Sequence, residues 1–288
     1  MKILVTGATG NIGREVVQNL HNRGVAVRAL ARKPETANLP AGVEVVAGDL
    51  TDPESVREAV KGTEKLFLLN AVVADELTQA LMTYGIAKRA GIQHVTYLSV
   101  FRADQFRDVP HFAAKAAVEV ALQEFGVPYT ILRPGYFFQN DLALRPVLQQ
   151  MGLYAMPIGT AGISAVDVSD IAEAAAISLT EEGHEGQTYD LVSSSQIKGP
   201  DNAALWGKAL GRQVVYTGHD FDAWEKQMSE RLPGWMAFDL RAMLQGYFER
   251  GFAATEVEIS RVVKLLGRAP RTYEEFVQRA AAEWSASE

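Results

Sequence analysis

Residues 1–14 read MKILVTGATGNIGR, and this stretch decides the fold. Lys2–Thr6 is a short, apolar, β-branched run that predicts a strand. Gly7-x-x-Gly10-x-x-Gly13 follows it directly, and a helix is expected from Gly13 onward. The three glycines have separate uses in holding a dinucleotide. One at the turn permits positive φ, one lets the backbone approach a pyrophosphate closely, and the last lets the helix pack on the strand. The helix start then offers free N–H groups and the positive end of its dipole to the phosphates. A glycine triplet alone is weak evidence, but one set between a strand and a helix is much stronger. Thr9, Asn11, Ile12 and Arg14 complete the expected phosphate turn. The chain is expected to bind a nicotinamide dinucleotide.

Strand-like and helix-like segments alternate beyond this turn. Apolar runs at Ala26–Leu30, Val43–Ala47, Leu66–Leu69, His94–Ser99 and Tyr129–Leu132 predict strands. Amphipathic stretches at Gly13–Arg23, Pro53–Lys61, Asp75–Ala90 and Phe112–Phe125 predict the helices between them. Asp52-Pro53 reads as an N-cap followed by proline at the first helical position. Such alternation implies right-handed βαβ crossovers, hence an α/β, Rossmann-type, doubly wound parallel sheet. At Arg133-Pro134-Gly135 the rhythm breaks. Ile163–Val168 and Gln187–Val192 return as strands around a helix at Ser169–Thr180, and the chain after Pro200 is mostly helical with one strand candidate at Arg212–Thr217. The expected division is a dinucleotide-binding domain over 1–150, with 163–192 returning to it, and a smaller, mostly helical substrate domain over 197–288.

Strand C-termini line the cofactor cleft of such sheets. An NAD-selective site places an acid after the second strand, to accept from the ribose hydroxyls. Here Ala31-Arg32-Lys33 carries two cations instead, which suit a 2′-phosphate, with Arg14 within reach of the same group. NADP(H) is therefore expected in preference to NAD(H), although Arg32 and Lys33 also read as solvated loop charges. Asp49 and Leu50 end the third strand, where an acceptor and an apolar surface suit adenine. Asn70 and Ser99 end the fourth and fifth strands. They are candidate cofactor contacts, or else a turn former and a cap.

Composition narrows the function classes. The net charge is −7 with dispersed Lys and Arg, which disfavours a nucleic-acid partner. With no cysteine, disulfides, thiolate catalysis and zinc–thiolate sites are excluded. The histidines are scattered with no carboxylate at ligand spacing, so no metal site is expected. The opening strand leaves no place for a charged leader, and no apolar run is long enough to span a bilayer. A cytoplasmic protein that does not bind membranes is expected, with a homodimer as one open possibility.

Five motifs in order then carry a resemblance: Gly7-Ala-Thr-Gly-Asn-Ile-Gly13, Gly48-Asp49-Leu50, His111-Phe-x-x-Lys115, Leu132-Arg133-Pro134-Gly135 and Asp167-Val168-x-Asp170-Ile171-Ala172. Over roughly residues 1–195 the chain resembles the NmrA-like branch of the atypical short-chain dehydrogenase/reductases. That resemblance implies an NADPH-dependent reductase of quinones, triphenylmethane dyes or azo dyes, or a redox sensor that binds the dinucleotide without turning it over and acts through a protein partner. Typical short-chain dehydrogenases carry Tyr-x-x-x-Lys after the fifth strand, with the phenol as proton donor and the lysine on the nicotinamide ribose. Here His111 stands in place of the tyrosine, either as proton donor or as a spectator, and Lys115 keeps the ribose role. Tyr136, Phe137, Phe138 and Asn140 follow the sixth strand, either as a wall for a flat aromatic or quinone-like substrate or as core packing.

Overall fold

The computed structural model describes residues 1–286, and its first half alternates as the sequence predicts. In chain order it holds β1 (Lys2–Val5), α1 (Asn11–Asn22), β2 (Ala26–Ala31), β3 (Glu44–Ala47), α2 (Pro53–Val60), β4 (Lys65–Leu68), α3 (Glu76–Arg89), β5 (His94–Leu98), α4 (Pro110–Glu124) and β6 (Tyr129–Pro134). Then come β7 (Tyr136–Phe137), β8 (Leu153–Tyr154), β9 (Ile163–Val166), α5 (Val168–Thr180), β10 (Gln187–Leu191) and β11 (Gln196–Ile197). The remainder is α6 (Gly199–Leu210), β12 (Val215–Tyr216), α7 (Phe221–Ser229), α8 (Gly234–Arg250), α9 (Glu256–Leu266) and α10 (Tyr273–Ser285).

The chain divides into two compact units. The first comprises Met1–Arg107, His111–Arg133 and Val168–Asp190, and the second comprises Asp108–Pro110, Pro134–Asp167 and the chain from Leu191. In the first unit the sheet order is β10-β6-β5-β4-β1-β2-β3. β1 lies at the centre, parallel to β2 through Ile3↔Val27 and to β4 through Leu4↔Leu66. Its apolar side chains are covered on both faces, as a doubly wound sheet requires. On one face Leu4, Leu66, Val95 and Ile131 meet Val56 and Val60 of α2, Tyr84 and Ala87 of α3, and Val118 and Leu122 of α4. On the other, α1 buries Val16, Val17 and Leu20, and packs with the alanine-rich α5. Burying one such leucine contributes about 1.5–3 kcal/mol. Asp52 caps α2 as expected, accepting from the Glu54 N–H at 3.0 Å ahead of Pro53.

In the second unit, β9 pairs with β7 through Tyr136↔Ala165 and with β11 through Gln196↔Ser164. A second small pair joins β8 to β12. Trp206 of α6 stacks on Trp284 of α10, with ring centroids 4.7 Å apart and planes 7° apart. Two expectations of chain division change here. The chain leaves the first unit at Arg133-Pro134, not near residue 150, because Pro134 ends β6 and Tyr136 already pairs with β9. The return begins at Val168, not 163, because Ile163–Val166 pairs with β7 and β11. No helix among the described residues is long and apolar enough to cross a membrane.

Candidate functional site

The turn after β1 is built by backbone bonds. Gly10 N–H donates to the Gly7 carbonyl at 3.0 Å, and Arg14 N–H to the Gly10 carbonyl at 3.0 Å. Thr6 fixes the approach, its Oγ1 donating to the Leu69 carbonyl at 2.9 Å and accepting the Leu69 N–H at 2.8 Å. Two of the three glycines have the backbone roles that the motif predicts. Gly7 has φ +62°, and a Cβ on Gly13 would lie 2.1 Å from the Gly7 carbonyl oxygen. Gly10 has ordinary extended dihedrals (φ −79°, ψ 173°), and a Cβ there would meet only the Gly7 oxygen at 3.4 Å. The fold therefore does not demand glycine at position 10, whereas the close approach of a phosphate does. Thr9, Gly10 and Asn11 are exposed, with the start of α1 bare of any side-chain cap. The Ile12 side chain is buried, so this residue has only its backbone N–H to offer a ligand.

Around this turn stand the expected strand-end residues. Arg14, Arg32 and Lys33 are exposed. Asp49 Oδ1 accepts from Thr51 N–H at 2.9 Å and Thr51 Oγ1 at 2.8 Å. These bonds, with the Arg32 charge nearby, hold its carboxyl below the usual range. One of the two carboxylate oxygens is thus engaged within its own loop, and Leu50 is half-buried beside it. Asn70, at the end of β4, is the most telling of the set. Its side chain is 3 % exposed, and neither its Oδ1 nor its Nδ2 has a hydrogen-bond partner. A buried amide left this way costs about 1–3 kcal/mol unless something outside the chain satisfies it. The cradle at Gly10 and the orphaned Asn70 amide both fit a dinucleotide.

On α4, His111 and Lys115 are both nearly buried, and the His111 ring meets Phe112 edge-on at 4.7 Å. Lys115 Nζ stands 2.7 Å from Glu76 Oε1 at the start of α3, and 5.9 Å from the centre of the Tyr97 ring. Burial, together with Glu76 and Glu119, raises the Tyr97 phenol well above its ordinary value. Ser99 is buried, and its hydroxyl donates to Glu119, which also takes Arg133 Nε at 2.9 Å. The Ser99 side chain is thereby turned to a buried ion pair, a use not evident from its place at a strand end. Arg133 of the Leu-Arg-Pro-Gly motif has a structural role of its own here, and Gly135 lies where a Cβ would come 2.6 Å from the Ser164 carbonyl.

The aromatic segment lies in the second unit. Phe138 is fully buried against Tyr273 (5.3 Å) and Phe276 (5.8 Å), and Tyr136 is 5 % exposed. Packing thus claims these two rings, while Phe137 is half-buried and Asn140 exposed. The neighbouring Asp141 was not evident from sequence. Its carboxylate accepts from Tyr154 Oη at 2.8 Å, from Tyr273 Oη, and from Tyr136 Oη at 3.5 Å. Tyr154 and Tyr273 in turn accept from Asn202 Nδ2 (2.8 Å) and Trp206 Nε1 (2.9 Å). Burial pushes Asp141 up to about 6, against the pull of these hydrogen bonds. Asp167 of the Asp-Val-x-Asp-Ile-Ala motif is a second buried acid, bound by Gln139 Nε2 at 2.9 Å and by Arg279 at 2.7 Å. Between them, the two acids tie the segment after β7 to α10.

Comparison with known proteins finds similarity along the length of the chain. An NAD(P)H azoreductase from Xenophilus azovorans is 31% identical over 288 residues, covering 99% of this chain and all of the relative. The structure of an NADPH-dependent quinone oxidoreductase from Escherichia coli, complexed with NADPH, superposes with a TM-score of 0.86 at 29% identity, covering 96% of this chain and 99% of the other. The Citrobacter sp. triphenylmethane reductase complexed with NADP(H) gives 0.85 at 28% identity, over 97% of this chain and 100% of the other. The NmrA-like family matches residues 1–277, a span that takes in both units, and the chain belongs to that family.

Proposed function

We propose that this protein is an NAD(P)H-dependent reductase that passes hydride from NADPH, in preference to NADH, to a flat aromatic or quinone-like acceptor. The observation that carries the reading is the phosphate turn, where a Cβ on Gly10 would meet only the Gly7 oxygen, at 3.4 Å. It is supported by relatives that are named NAD(P)H azoreductase, quinone oxidoreductase and triphenylmethane reductase. A bound nicotinamide would supply the hydride. The chain's own residues bind and orient. The backbone of Gly7–Gly13 and the start of α1 receive the pyrophosphate. Arg32, with Lys33 and Arg14, grips a 2′-phosphate, while Asp49 and Leu50 border the adenine. Asn70 and Lys115 hold the nicotinamide end, Lys115 on the ribose. His111 delivers the proton that accompanies hydride transfer, in the place the family's relatives outside this branch give to tyrosine. Phe137 and Asn140 are the members of the aromatic segment with surface left to meet an acceptor.

The test is oxidation of NADPH by the purified protein with a panel of quinones, azo dyes and triphenylmethane dyes. Turnover of at least one acceptor, with a lower KM for NADPH than for NADH, is expected. Tight NADPH binding with no turnover of any acceptor would instead favour a dinucleotide-binding sensor.

A further inference from the structure

We propose that Glu76 is a positioning residue for Lys115: its buried carboxylate sets where the ammonium stands and so presents it to the nicotinamide ribose. The proposal rests on the reading that Lys115 holds that ribose.

Lysine carries a compact charge on a flexible four-carbon stem, so a binding lysine needs something to hold it in place. Lys115 and Glu76 are 7 % and 2 % exposed, and their charges lie 2.7 Å apart. Desolvating both costs several kcal/mol, and apolar side chains of similar volume would hold α3 against α4 at least as well. Stability alone therefore does not explain this pair. Its distinctive effect is to place a charge. The contact is an ion pair in which neither carboxylate oxygen has a hydrogen-bond partner, so the charge fixes the ammonium's place and its N–H groups remain for vicinal hydroxyls.

Three neighbouring titratable groups, Glu119, Tyr97 and His111, are engaged elsewhere or unsuited to neutralising Lys115. Glu119, one turn further along α4, is taken by Arg133 and by the Ser99 hydroxyl. Tyr97 of β5 presents its ring, and burial keeps its phenol protonated. His111, one turn earlier on α4, is set edge-on to Phe112. Glu76 pairs by charge with Lys115, and neither of its oxygens has a hydrogen-bond partner among the described residues. It sits in the first turn of α3, where the helix dipole favours a carboxylate. That helix opens six residues after Asn70, so one connection from β4 sets both the orphaned amide and the acid that holds Lys115.

The experiment is a double-mutant cycle on cofactor affinity, read by calorimetry with NADPH and NADH, alongside the melting temperature of each unliganded protein. Glu76→Gln and Lys115→Met are each expected to weaken both nucleotides about tenfold. The two nucleotides should suffer equally, since the nicotinamide ribose is common to them. Glu76→Gln in the Lys115→Met background should add nothing, because Glu76 acts through Lys115. If Glu76→Gln does not fold, Glu76→Asp, which keeps the charge on a shorter stem, should still weaken both nucleotides measurably. The proposal is overturned if Lys115→Met weakens binding while the Glu76 variants bind normally with only a lowered melting temperature. It is equally overturned if the two losses add in the double variant. If Lys115→Met leaves both affinities unchanged, the ribose reading falls and this proposal with it, whereas dinucleotide binding by the glycine turn stands.

Discussion

Gly13 stands so close to Gly7 that a Cβ on the former would lie 2.1 Å from the carbonyl oxygen of the latter, whereas Gly10, midway between them, is open to one. The turn thus contains one glycine required by the fold and one left free for a ligand. Gly13→Ala is expected to destabilise the protein by about 2 kcal/mol or more through overpacking against backbone. Gly10→Leu should cost about 1 kcal/mol or less in stability, the scale of an altered N-cap, yet lose NADPH affinity by well over tenfold. Denaturant unfolding and titration calorimetry on the two variants separate these effects. Unchanged affinity in Gly10→Leu would refute a pyrophosphate at this turn.

Arg32→Ala is expected to weaken NADPH binding about 10- to 100-fold, the worth of a charge-assisted hydrogen bond. NADH has no 2′-phosphate, and its affinity should barely move. This pattern is the opposite of the equal loss expected from Lys115→Met. An equal loss from Arg32→Ala would place Arg32 elsewhere than on the phosphate.

His111→Phe should lower turnover by roughly 10²–10⁴-fold while leaving the Kd for NADPH near its original value, as removal of a positioned proton donor does. Steady-state rates with one quinone acceptor decide it. Retained turnover would assign the proton to solvent.

One buried group in each unit is expected to answer acid in the opposite direction to the other. His94 in the first unit bonds Thr130 Oγ1 at 3.0 Å, and burial, with Lys65 nearby, lowers it from 6.5 to about 4. Its contribution to stability is present above pH 6.5 and lost as the pH falls through about 4. Asp141 in the second unit is raised from 3.8 to about 6, so its contribution is present below pH 3.8 and lost as the pH rises through about 6. Each amounts to about 3 kcal/mol. All four tryptophans, at 206, 224, 235 and 284, belong to the second unit, so their fluorescence follows its unfolding. Between pH 4 and 6, Asp141→Asn should remove a loss of stability seen by fluorescence as the pH rises. His94→Gln should remove a gain seen by circular dichroism. Unaltered slopes in both variants would contradict these assignments.

The first unit was legible because its signals are local. A β-branched run ending in spaced glycines, or Asp52-Pro53 ahead of an amphipathic stretch, constrains the backbone through residues adjacent in the chain. The Thr255-x-x-Glu258 and Thr272-x-x-Glu275 capping boxes of α9 and α10 are signals of the same local kind. Glu76, Glu119, Asp141 and Asp167 were not legible. A carboxylate on a helix or in a connecting segment reads as solvated until its partner, here Lys115, Arg133, a set of phenols or Arg279, arrives from elsewhere in the chain. The same non-locality applies to Phe138 and Tyr136. An aromatic segment after a sheet strand looks like a ligand wall, but α10, more than 130 residues later, covers Phe138.

The order of the sheet also bears on how the protein is made. β10 lies at the edge beside β6, yet Gln187 is 53 residues beyond Pro134, with the whole excursion through β7, β8 and β9 between them. During synthesis, the six strands β1–β6 are complete long before their seventh partner has left the ribosome. For that interval the outer side of β6 is an unpaired row of backbone donors and acceptors, the kind of edge that recruits a neighbouring nascent chain. Translation speed between residues 134 and 191 therefore sets how long the growing chain carries an open edge.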